Sequence, residues 1–95
     1  MIKQERVEFA RRIAAAMAGG RWLKGYVRGK LLADPVFDEA LRVVQKSQKP
    51  VLDLGCGLGL FGLWLRMNGF QAYYTGCDLG QWKIDTGRKA VEILG

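Results

Sequence analysis

Three glycines alternate with other residues after a short apolar run, and an aspartate stands on either side of them in the sequence. Asp53 precedes Gly55, Gly57 and Gly59, and Asp78 lies nineteen residues beyond the last of these glycines. Without Cβ atoms, the glycines can adopt backbone angles closed to other residues and let a ligand lie directly on the main chain. Free N–H groups in this loop, and the positive end of a helix beginning directly after it, would favour a carboxylate or phosphate. The pattern therefore predicts a ligand site.

Asp78 is placed where a second predicted strand ends. Ligands of parallel sheets bind beyond the carboxyl ends of the strands, and an acid there can accept hydrogen bonds from both hydroxyls of a ribose. We therefore take Asp78 as a ribose-binding candidate. The alternative is that Asp78 caps the helix that follows it, and the two roles can coexist.

The spacing of apolar residues, and the residues that interrupt it, predict the helices and strands that position these residues. This pattern predicts helices over residues 2–18, 21–33 and from 34–35 to about 46, a strand over 51–54, a helix over 60–67, a strand over 72–77 and a helix over 81–94. Asp34 and Pro35 form a helix start, and Lys49-Pro50 marks a boundary. The order strand, helix, strand, helix predicts two parallel strands joined by a right-handed crossover.

Charge is distributed unevenly along the chain. Residues 1–50 hold 11 Lys and Arg against 5 Asp and Glu, and residues 51–95 hold 4 of each, so the net charge of +6 lies in the first half. This excess could attract nucleic acid, a phospholipid headgroup or an acidic carrier, or it could be a solvated helix surface. The composition gives no sign of a transmembrane segment.

The cysteines and the missing histidines argue against metal chemistry. Cys56 and Cys77 lack CxxC spacing, and the sequence contains no His. We expect no metal site and no disulfide framework. The N-terminus lacks the apolar stretch of a signal peptide, so we expect a cytoplasmic protein.

Residues 50–95 resemble the class I S-adenosylmethionine-dependent methyltransferases. The family's first motif is similar to residues 51–59, Val-Leu-Asp-Leu-Gly-Cys-Gly-Leu-Gly, and its second motif is similar to residues 75–79, Thr-Gly-Cys-Asp-Leu. The resemblance implies an enzyme that transfers a methyl group from S-adenosyl-L-methionine to an acceptor. We expect an anionic acceptor, but the sequence does not identify it.

The resemblance also implies roles for individual residues. Asp53 would help fix the methionine ammonium group, the glycine loop would contact the methionine portion and Asp78 would hold the ribose. The implied cofactor-binding set is Asp53, Gly55, Cys56, Gly57, Gly59, Asp78 and Leu79. Methyl transfer from a sulfonium is a direct displacement that mainly requires alignment, so no catalytic residue is assigned.

The fold implied is α/β, with N-terminal helices followed by the first two β-α units of a Rossmann-like methyltransferase parallel sheet, apparently truncated. Residues 1–49 would be a helical segment on the substrate side and residues 50–95 the first half of the cofactor-binding domain. Two strands leave both sheet edges unpaired. We therefore expect the 95-residue chain to be inactive alone, and to be a piece of a longer enzyme or to form a homo-oligomer through an exposed edge.

Two other functions stay open. Residues 57–62 satisfy the GxGxxG pattern of an NAD(P)-binding Rossmann domain, but Asp53 would repel a pyrophosphate. A non-enzymatic basic module for nucleic acid would need Arg21, Lys24 and Arg28 to form one working face.

The aromatic residues in the predicted helices receive a structural interpretation. Trp64 and Trp82 lie within the predicted helices over residues 60–67 and 81–94, and we expect both to be packing anchors rather than adenine platforms. Cys56 is interpreted as a small residue filling a tight turn, because no base that could activate it as a nucleophile is visible.

Overall fold

The computed structural model describes residues 3–95 as five helices and a two-stranded sheet. In chain order these elements are α1 (Lys3–Ala16), α2 (Arg21–Ala33), α3 (Val36–Ser47), β1 (Val51–Leu54), α4 (Leu60–Met67), β2 (Tyr74–Cys77) and α5 (Gln81–Leu94). The predicted bounds of α2, β1, α4 and α5 are confirmed, whereas β2 starts two residues later than predicted. Helix α1 ends at Ala16 rather than at residue 18, and its predicted start at Ile2 lies outside the described residues.

The start of α3 shows how local sequence sets an element boundary. Asp34 has extended backbone angles and its Oδ1 accepts the Val36 N–H at 3.0 Å, while Pro35 already has helical angles. The aspartate therefore caps the first turn, and the proline occupies a position where no N–H is needed. Lys30 adds an ion pair to Asp34 at 2.8 Å.

The core is formed mainly by helices. Its largest fully buried side chains are Trp64, Phe70, Ile13, Met17, Leu31, Leu65 and Val27, and none of them belongs to a strand. Phe9 of α1 meets Trp64 of α4 edge to face, with ring centroids 6.3 Å apart. One continuous cluster thus joins residues on both sides of Pro50.

The prediction that both tryptophans are packing anchors is confirmed for Trp64 and wrong for Trp82. Trp64 is fully buried, whereas 57% of Trp82 is exposed. The buried side of α5 runs through Gly87 and Ala90, and Trp82 projects away from it. Lys83 Nζ lies 5.8 Å from the centroid of the Trp82 ring.

The strands pair in parallel, as predicted, with Asp53 opposite Gly76 and Leu54 opposite Cys77. Only one face of this sheet packs on the protein. On the other face Leu52 is 64% exposed and Leu54 is 75% exposed.

The predicted fold class is wrong. The chain is mostly helical, and its two four-residue strands pair only with each other within residues 3–95, so it does not form a Rossmann-like sheet. Rossmann-like sheets bury the strands between two layers of helices. Here the helices instead pack mainly on one another, and the strands contribute no fully buried side chain.

Candidate functional site

The glycine loop between β1 and α4 adopts the backbone conformation that its composition requires. The φ angles of Gly55, Gly57 and Gly59 are +74°, +58° and +76°, in the left-handed region that side chains disfavour. The loop closes the first strand and delivers the chain into α4, which begins at Leu60.

The N–H groups of these glycines are not free, contrary to the sequence-based expectation. Gly55 N–H and Cys56 N–H both donate to the Cys77 carbonyl, at 2.7 and 2.9 Å. Gly57 N–H donates to Asp78 Oδ1 at 3.2 Å, and Gly59 N–H donates to the Cys56 carbonyl at 3.0 Å. An anion therefore cannot bind these groups without displacing a protein acceptor.

Asp78 joins the loops that follow the two strands. Its second oxygen, Oδ2, accepts the Gly80 N–H at 2.8 Å, while Oδ1 accepts Gly57 N–H. These hydrogen bonds, that of Gly80 first, lower the pKa of Asp78 below its ordinary value, so the carboxylate is charged at neutral pH. The predicted cap of α5 is not observed, since α5 has no side-chain cap bond and Asp78 bonds the residue before its first turn.

Asp53 is held by a residue that the sequence analysis did not identify. The Tyr74 hydroxyl donates to Asp53 Oδ2 at 2.6 Å. Tyr74 is half-buried. Its pKa is raised mainly by this burial and secondly by its hydrogen bond to Asp53, so the hydroxyl stays protonated. Alternation along the strands places Tyr74 and Asp53 on the same face, but that signal requires the strand register, which the sequence does not provide.

Cys56 lies close enough to both aspartates for their negative charges to affect its thiol. Burial, followed by the charges of Asp53 and Asp78, raises the pKa of its thiol. A Cβ on Gly76 would lie 2.7 Å from Cys56 Sγ, so the thiol fills the space that this glycine leaves. Both observations support the interpretation of Cys56 as a packed turn residue rather than a nucleophile.

Two helical glycines let the neighbouring elements approach the loop closely. A Cβ on Gly62 of α4 would lie 2.5 Å from the Tyr74 ring, and a Cβ on Gly87 of α5 would overlap the Leu58 carbonyl oxygen. The third glycine of the GxGxxG pattern therefore makes room for Tyr74, the partner of Asp53.

The remaining residue of the implied set, Leu79, follows Asp78 and is fully exposed. The structure thus brings Asp78 and Gly57 into direct contact, and joins Gly55 and Cys56 to the end of β2. It leaves Leu79 without packing partners in the described part of the chain.

The nucleic-acid alternative requires Arg21, Lys24 and Arg28, and one of these cations binds backbone carbonyls of the protein. Lys24 Nζ donates to the Ala15 and Met17 carbonyls, at 3.0 and 2.6 Å, and so satisfies the end of α1. Arg21 and Arg28 are exposed on the same helix. One of the three cations is therefore committed to the fold.

No family model, curated protein or solved structure matches this chain. Among residues 3–95, no helix is both long and apolar enough to span a membrane. The cytoplasmic location stays a prediction.

Proposed function

We propose that the glycine loop and the aspartates beside it bind S-adenosylmethionine, and that the chain provides the donor site of a methyltransferase. The observation that carries this proposal is the pair of carboxylates at the loop, Asp53 and Asp78, with Lys83 as a cation beside Asp78. Asp53 and Asp78 both act on Cys56, while the loop N–H groups already have protein acceptors.

Such a loop favours a cation with hydroxyl groups over a polyanion. S-adenosylmethionine carries a sulfonium and an ammonium group, which two carboxylates attract. A charged carboxylate such as Asp78 can also accept hydrogen bonds from ribose hydroxyls. The methionine carboxylate has one compatible partner, the start of α4, whose first turn has no side-chain cap.

The same charges weigh against the dinucleotide alternative. A pyrophosphate at this loop would face Asp53 and Asp78 and would compete with Asp78 for Gly57 N–H. Asp53 can bind the methionine ammonium group while it keeps its bond to Tyr74. The tyrosine hydroxyl occupies only Oδ2, which leaves Oδ1 for the ammonium group.

Calorimetric titration with S-adenosylmethionine and, separately, NADH tests this function. We expect heat of binding with S-adenosylmethionine and none with NADH. Binding of NADH alone would favour an oxidoreductase, and binding of neither would reject both cofactors for this chain.

A homo-oligomer forms part of the same proposal. Leu52 and Leu54 are exposed on the free sheet face, and within residues 3–95 each strand has one unpaired edge. Association of two copies would cover these groups. Light scattering at several concentrations tests this, and a mass of one chain throughout would exclude it.

A further inference from the structure

A cleft of about 920 Å³ lies where α1, α4 and α5 meet the glycine loop and β2. Its walls include the buried apolar side chains Leu58, Leu63 and Phe70. Each of the three helices also contributes one arginine to the lining, and these are Arg12, Arg66 and Arg88. We call this space the arginine cleft.

The charged side chains that line the arginine cleft are all cationic. No Asp or Glu lines it, and Arg12, Arg66 and Arg88 form no ion pair within residues 3–95. In the same part of the chain, Arg6, Arg11 and Arg42 each pair with a carboxylate.

Glu8 lies one helical turn before Arg12, but it is bound to Arg11 through both of its oxygens. Within the described residues, the guanidinium groups of Arg12, Arg66 and Arg88 therefore have no carboxylate partner. Like charges that line one cleft repel one another, and an anion bound between them would offset that repulsion.

One of the three arginines is already fixed in place. Arg66 Nη1 donates to the Phe70 carbonyl at 2.6 Å, which leaves other N–H groups of its guanidinium available. Arg12 and Arg88 are exposed and form no hydrogen bond within the described residues. The cleft thus combines buried apolar side chains with two exposed arginines and with one arginine that is partly committed to a backbone carbonyl.

We propose that the arginine cleft binds a small molecule with an apolar body and one carboxylate. Guanidinium groups match the planar geometry of a carboxylate and can bind it through two parallel hydrogen bonds. The apolar walls would take the rest of the molecule out of water. The net charge of the N-terminal half does not account for this site, because two of its three arginines lie in the neutral second half of the sequence.

The ligand of this cleft is also a candidate for the methyl acceptor. Cys56, Gly57 and Gly59 line the arginine cleft as well as belonging to the proposed donor site. This assignment rests on the proposed function. Binding in the cleft does not, and it can be measured without S-adenosylmethionine.

The experiment is a calorimetric titration of the chain, without cofactor, using octanoate, octan-1-ol and acetate as probes. Octanoate has both an apolar chain and a carboxylate. Octan-1-ol has the chain without the charge, and acetate has the carboxylate without the long chain. We expect octanoate to bind at least about tenfold more tightly than either. Equal affinities for octanoate and octan-1-ol, or for octanoate and acetate, would overturn the proposal.

Two double variants of equal charge then locate the site. Arg12→Gln with Arg88→Gln should lower octanoate affinity at least about tenfold, while Arg21→Gln with Arg28→Gln, outside the cleft, should leave it unchanged. Equal losses in both would indicate attraction by net charge alone and contradict the proposal. If the first variant does not fold, NMR of the guanidinium Nε–H signals of the unaltered chain decides, since an absence of shifts at Arg12 and Arg88 with octanoate would also contradict it.

Discussion

The Tyr74 hydroxyl donates a hydrogen bond to Asp53 Oδ2 over 2.6 Å and so links β2 to β1 through side chains as well as through the backbone. Gly62 makes room for the tyrosine ring. The raised pKa of Tyr74 keeps its proton on the hydroxyl at neutral pH, so the bond retains its donor.

Loss of this hydroxyl should weaken the fold. Tyr74→Phe keeps the ring but removes the donor, and we expect the free energy of unfolding to fall by about 0.5–1.5 kcal/mol. Tyr73→Phe is the matched control, because Tyr73 is 83% exposed and should tolerate the change. Urea denaturation measures both, and equal effects would show that the Asp53 bond does not stabilise the protein.

The close approach of α5 to the glycine loop can be tested with two glycines inside helices. Gly87→Ala should destabilise the protein by about 1–3 kcal/mol, because the new Cβ would overlap the Leu58 carbonyl oxygen. Gly25→Ala in α2 meets no atom within 4 Å and should stabilise it by about 0.5–1 kcal/mol. Both substitutions raise helix propensity. If thermal unfolding shows a loss of stability for Gly87→Ala and a gain for Gly25→Ala, the difference is due to the contact with Leu58. A gain in stability for Gly87→Ala would contradict this packing.

The cysteines should differ in reactivity. The raised pKa of Cys56 reduces its thiolate fraction, and the side chain is partly buried, whereas Cys77 is exposed. We expect iodoacetamide to alkylate Cys77 faster than Cys56 near neutral pH. Mass spectrometry of Cys56→Ser and Cys77→Ser measures each thiol separately, and faster reaction of Cys56 would contradict the packed-turn interpretation.

Acid should remove the contribution of Asp78 to stability. Its pKa is lower in the folded chain than the ordinary value of about 3.9, so the stabilisation is complete above that value and is lost as the pH falls through the folded pKa. The difference in unfolding free energy between the unaltered chain and Asp78→Ala should shrink between neutral pH and about pH 2. A difference independent of pH would show that the carboxylate charge is not involved.

Local signals in the sequence predicted most element boundaries, and contacts between elements account for the errors. Asp34 and Pro35 set the start of α3 through bonds within a few residues, which a sequence pattern can express. Trp64 and Trp82 occupy similar helical patterns, yet only the first faces the core, because burial depends on which side of each helix meets a neighbour.

The same distinction applies to the candidate site. The positive φ angles of the loop glycines follow from their type, so the loop itself was predictable. The bond between Tyr74 and Asp53 depends on strand register, and the arginine cleft depends on how three helices pack. The fold class was wrong because a motif of a few residues does not determine whether the helices pack on the sheet or on one another.

The most direct measurement for the proposed donor site is the affinity for S-adenosylmethionine of the unaltered chain and of Asp53→Asn. Asparagine can still accept the Tyr74 hydroxyl through its amide oxygen, so the substitution removes the charge while the bond to β2 is kept. Asp85→Asn, an exposed aspartate on α5, is the control for net charge.

The proposed function predicts that the unaltered chain binds S-adenosylmethionine, that Asp53→Asn binds it about 10- to 100-fold more weakly, and that Asp85→Asn binds it normally. No binding by the unaltered chain, or equal affinity in all three proteins, would contradict a donor site built on the carboxylates beside the glycine loop.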